Sequence, residues 1–114
     1  MKLQVDGQKL RVRIDEAELA RLLDGHALQS VTLFGDAFSI RVTIELGDGD
    51  VASLTGEASA WRIAIPATAL QQHATHLPSR DGLHFMQSGQ TQAAALELLF
   101  DVDVRDSVRR RRNP

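Results

Sequence analysis

The chain has no cysteine and no tyrosine, and its 114 residues include a single tryptophan and only three prolines. Without cysteine there is no disulfide, thiolate nucleophile, iron–sulfur cluster or thiolate zinc site, which suits a reducing compartment. One tryptophan and four phenylalanines are few for a surface that stacks single-stranded bases, and all five sit in alternating strand-like stretches that read as core. No apolar run approaches the roughly 18 residues that a membrane-spanning helix needs. The opening "MKLQVDGQKLRVRI" alternates and is charged, unlike a signal or transit peptide. Together these absences point to a soluble, cytoplasmic protein without a membrane partner. The chain also has no GxGxxG, GxxxxGK[ST], GxSxG or HExxH motif, so neither a cofactor nor a catalytic residue is expected and the sequence argues against an enzyme.

What is present is the composition of an ordinary globule, 43% hydrophobic and 25% charged. A chain of this length forms one domain and buries about two-thirds of the surface it exposes when unfolded. The formal charge of −2 hides an asymmetry. Four of the 13 Lys and Arg residues are Arg109 to Arg112, leaving nine against all 15 acidic residues. The reading is a single acidic domain over residues 1–106 and a basic tail over 107–114.

Asp6-Gly7 between two alternating stretches predicts a hairpin, since this pair tolerates the positive φ of a tight turn. In "IDEAELARLLDG", Asp15 and Glu18 have the spacing of a capping box, Ile14 and Leu19 that of a hydrophobic staple, and Gly25 that of a left-handed stop. This predicts a helix over 16–24. Strands follow in "ALQSVTLF" and "FSIRVTIEL" around Gly35-Asp36, then in "VASLT" and "AWRIAI". Pro66 leads into a second helix, "ATALQQHATHL", which Pro78 ends. "LHFMQ" and "AALELLFDVDV" make a last pair of strands. Leu96, Leu98, Phe100, Val102 and Val104 face one way; Glu97, Leu99, Asp101 and Asp103 face the other. No internal repeat is visible along the chain. The order β-β-α-β-β-β-β-α-β-β predicts an α+β fold, a mostly antiparallel curved sheet or half-barrel with two helices.

Several of these stretches resemble a family of small uncharacterised bacterial proteins. They are the Lys2-Leu3 opening, the strand Leu10 to Ile14, the capped helix Asp15 to Gly25, Phe34-Gly35, "WRIAIPATAL" and the closing Asn-Pro. The resemblance covers most of the chain and implies a bacterial, cytoplasmic, single-domain protein; it implies no activity and no catalytic residues.

Four candidate sites remain. His73 and His76 lie at i and i+3 on the second helix, with His84 on the next strand, an arrangement that two or three imidazoles use to share a metal. The alternative is that His73 packs beside Leu70 and Leu77. In "GDGD", Asp48 and Asp50 could suggest calcium, but an EF-hand needs a glutamate at its twelfth position and residue 59 is serine; the stretch reads as a turn. Arg109, Arg110, Arg111 and Arg112 form a tail docked on the carboxylates of Glu97, Asp101, Asp103 and Asp106 of its own body or a second copy, a weak, salt-sensitive nucleic-acid arm, or a solvated end. Leu99, apolar on the acidic side of the last strand, is a candidate contact for a partner. The sequence thus favours a non-catalytic interaction or ligand-binding module that self-associates or meets a protein partner. The alternatives are a nucleic-acid-associated protein using the arginine tail and a histidine-based metal binder.

Overall fold

The capping box forms as the spacing requires. The Glu18 backbone N–H donates to Asp15 Oδ1 at 2.7 Å, and the Asp15 N–H donates to Glu18 Oε1 at 3.1 Å. Helix α1 (Glu16–Leu23) therefore starts where its first-turn N–H groups find acceptors. It ends in a Schellman arrangement: Gly25 at φ +89° donates to the Leu22 carbonyl, and His26 donates to Arg21. Helix α2 (Ala67–Ala74) begins at Pro66 with no side-chain cap. The structure, a computed structural model, describes residues 1–79 and 81–104; the arginine tail lies outside them.

The strands are β1 (Lys2–Asp6), β2 (Lys9–Asp15), β3 (Leu28–Phe34), β4 (Phe38–Gly47), β5 (Ser53–Glu57), β6 (Ala60–Pro66), β7 (Leu83–Gln87) and β8 (Leu96–Asp103). A 3-10 turn, Gln92–Ala94, precedes β8. The class and element order match the expectation. The strands divide into two four-stranded sheets, ordered β1-β2-β8-β7 and β3-β4-β6-β5. In each sheet the outer pairs are antiparallel hairpins and the central pair, β2 with β8 or β4 with β6, is parallel.

The alternation read in the sequence decides the core. Leu10, Val12 and Ile14 on β2 meet Leu98, Phe100 and Val102 on β8 in register. Val42 and Ile44 on β4 do the same with Trp61 and Ile63 on β6. Leu19 and Leu22 of α1 and Leu70 of α2 close the core. Helix α1 packs on β2, β3, β4 and β8, α2 packs on β6 and β7, and the two helices touch. Among the described residues no helix is long and apolar enough to cross a membrane.

The absence of a repeat is corrected by this topology. Residues 2–47 and 53–103 each run β-β-α-β-β, and the two halves are intertwined, because every parallel pair joins one half to the other. The sequences align at an offset of 51 residues through the first hairpin and helix. Leu3 then corresponds to Leu54, Arg11 to Arg62, Ile14 to Ile65 and Leu19 to Leu70. At an offset of 56, the sequence of β4 aligns with that of β8, with Val42 at Leu98 and Glu45 at Asp101. Even the outer-face ion pairs repeat. Arg11 meets Asp101 at 2.6 Å, and its counterpart Arg62 meets Glu45 at 3.5 Å.

The aromatic residues do not all enter the core, contrary to their strand positions. Phe100 is buried and Phe85 half-buried, but Phe34 and Phe38 are exposed, stacked on each other with ring centres 4.8 Å apart. The cause is register. Strand β6 starts opposite Arg41, so the tip of the β3–β4 hairpin runs past the point where β6 pairs with β4.

Candidate functional site: an apolar cleft between two hairpins

The hairpins β1–β2 and β5–β6 are counterparts in the two halves, and they turn at the same end of the molecule. Between them lies an open cleft of about 350 Å³. Its walls are Val5 and Leu10 from the first hairpin, Leu54 to Ala58 and Trp61 from the second, and Leu96 and Gln87 from β8 and β7. Two pairs of counterparts, Val5 with Gly56 and Leu10 with Trp61, are among its lining, so both halves contribute to the cleft.

Each wall follows from local chemistry. Gly56 holds φ +104°, and a Cβ there would collide with the Ala60 carbonyl, so the strand can pass close to the neighbouring turn only as glycine. Trp61 is half-buried on β6; its indole N–H donates to the Ala58 carbonyl at 2.7 Å, which fixes the ring beside the turn. Gln87 ties the two sheets together. Its amide Nε2 donates to the Leu54 carbonyl at 2.9 Å, and its Oε1 accepts from the Leu54 N–H. A side-chain amide thus takes the place of a neighbouring strand at this point of the β5 edge. Val5 remains 65% exposed at the rim.

Among the described residues the lining includes one charged side chain, Glu57, and no cation. Such a site suits a neutral apolar molecule, in the size range of small-ligand clefts, with the indole as its flat wall. A larger depression of about 630 Å³, lined by Asp6, Gln8, Lys9 and Met86 among others, is more polar and draws on no aromatic side chain.

The residues singled out in the sequence lie elsewhere. His73 is half-buried on α2 and His76 is exposed. Burial lowers the His73 pKa from the ordinary 6.5; Asp101 acts against this and His76 adds to it. His84, on the outer face of its sheet, sits 3.3 Å from Glu97 Oε1. Among the described residues no three His, Cys, Asp or Glu side chains gather as a metal-holding group. Asp48 and Asp50 sit in the exposed β4–β5 turn. Leu99 is half-buried, between Arg11 on β2 and His84 on β7.

Of the carboxylates considered for the tail, Asp101 is met by Arg11 at 2.6 Å and Arg13 at 3.6 Å, and Glu97 by His84. Arg109, Arg110, Arg111 and Arg112, and Asp106, lie outside the described residues. Trp61 entered the sequence reading only as a core aromatic. Its partners Val5, Leu54 and Gln87 come from both halves, and no local spacing marks them. In comparisons with known proteins, no family model matches the chain and no curated protein matches it significantly.

Proposed function

We propose that this is a bacterial, cytoplasmic, non-catalytic binding module whose ligand is a neutral apolar small molecule held in the cleft beside Trp61. The observation that carries the reading is the cleft itself. Two hairpins from the two halves converge on an apolar wall, and a polar tie, Gln87 to Leu54, sets its floor. Clefts of a few hundred Å³ with mostly apolar walls and few oriented polar groups are the usual form of a small-molecule site. The resemblance of the opening strands and the Asn-Pro end to small bacterial proteins supports the compartment.

Trp61 is the only tryptophan, so its emission reports on the cleft directly. Titration with the neutral probe N-phenyl-1-naphthylamine should quench Trp61 and raise probe emission with saturation. Val5→Glu places a charge at an exposed rim position and should abolish the response without altering the fold, judged by circular dichroism. A probe that leaves Trp61 emission unchanged, or binds the Val5→Glu protein equally, would overturn the reading.

A further inference from the structure

Every open sheet must do something with its outer strands, because an edge presents unpaired N–H and C=O groups to any other strand. Three of the four edges here are managed. Strand β1 carries Lys2 and Asp6. Strand β5 carries Glu57, and Gln87 occupies its Leu54 groups. Strand β7 is five residues long and includes His84. Strand β3, "LQSVTLF", is seven residues long and contains no charge and no proline. Among the described residues it pairs with β4 alone. Its side chains are also bare, with Leu33 74% and Val31 51% exposed.

We infer that β3 is an interface with a second copy of this chain, formed by antiparallel pairing of the two β3 strands about a two-fold axis at Val31. Backbone direction fixes the register. The Phe34 carbonyl accepts from the Ala37 N–H inside the hairpin turn, so Phe34 points toward β4. By alternation along an antiparallel strand, Gln29, Val31 and Leu33 then point their N–H and C=O groups outward. Centring the axis on Val31 lets these three residues pair with Leu33, Val31 and Gln29 of the second copy, using the whole strand.

The same register brings the hairpin tip that carries Asp36 to the end of the ribbon where His26 precedes the other copy's strand. Both ends of the ribbon therefore match acid to imidazole, and no like charges oppose each other along it. That self-complementarity is what an isologous contact requires, and it selects a second copy over an unrelated strand. The result is one continuous eight-stranded sheet across two molecules. The apolar Val31 side chains meet at its centre, and Phe34 of each copy lies beside the other's Leu28. The inference goes beyond the ligand reading and stands without it.

Sedimentation of the full chain should give twice the monomer mass of 12.5 kDa, dissociating on dilution. Val31→Lys brings two ammonium groups together on the axis and should leave a monomer with unchanged circular dichroism. Val31→Glu should do the same. Mixing the two variants should restore a 1:1 dimer, which misfolded variants would not do. A wild-type chain that stays monomeric at millimolar concentration overturns the inference. So does a Val31→Lys chain that remains dimeric, since association would then use another surface. Neither outcome touches probe binding at Trp61, which is measured separately.

Discussion

At the residue scale, the helix cap and one histidine carry the clearest energetic consequences. Asp15 holds the first turn of α1 through its bond from the Glu18 N–H, and Glu18 returns the bond while also receiving the Met1 ammonium at 2.9 Å. Asp15→Ala should lower unfolding stability by about 1 kcal/mol, read as a shift in the urea midpoint, because α1 then starts with its N–H groups open to water. His73 gives a pH dependence of known sign. Burial favours the neutral ring, so the folded chain binds this proton less readily than the unfolded chain. The unfolded state then holds more protons as pH falls, and stability falls with it. The contribution is intact above about pH 6.5, the ordinary value. It declines below that and levels off once the folded protein's His73 is itself protonated. His73→Gln should flatten the difference in stability between pH 7.5 and 5.5. An unchanged difference would place the titration on another group.

At the scale of elements, the tie between sheets rests on one side chain. Gln87→Ala leaves the N–H and C=O of Leu54 without partners in a partly buried position. The expected loss is about 1–3 kcal/mol. Trp61 emission should move to the red as the cleft floor opens, which separates this loss from a general weakening of β7. The elements themselves were largely legible in the sequence, for a physical reason. Period-two alternation in "FSIRVTIEL" and "LELLFDVDV", and the Asp15–Glu18 spacing, are local signals that burial and capping then realise. The site was not legible. Its walls come from positions as far apart as Val5, Leu54, Trp61 and Leu96, brought together by the parallel pairing of β2 with β8 and β4 with β6 and by the Gln87–Leu54 tie between the sheets. The exposed Phe34 and Phe38 escaped for a similar reason. Alternation marks a face of a strand, but only the register with β6 shows that this face outruns its sheet.

At the scale of the whole molecule, the two β-β-α-β-β halves depend on each other. Within one half, β2 and β4 would each be left with an open edge where β8 and β6 now pair, and the buried rows Leu10-Val12-Ile14 and Val42-Ile44 would lose the strands beside them. The halves hid from the sequence because identity survives at few positions, such as Arg11 with Arg62 and Leu19 with Leu70. What persists is the pattern of faces and the ion pair across the parallel strands. A cut in the exposed β4–β5 turn, between Gly49 and Asp50, tests this mutual dependence without touching a strand. Residues 1–49 and 50–114 expressed separately should each lack cooperative unfolding, because neither can bury its central strands. Mixed, they should assemble 1:1 and regain the circular dichroism and thermal transition of the intact chain. The complex should melt lower as it is diluted, since the link that once held the halves at high effective concentration is gone. Homodimers of either half are the symmetric competitor, for β2 could in principle take β4 of its own kind in place of β8. Against them stands the cleft, whose lining takes Val5 and Leu10 from one half and Gly56 and Trp61 from the other. A half that folds alone as a monomer would show the two units to be independent, and would break the link between the duplicated topology and the cleft.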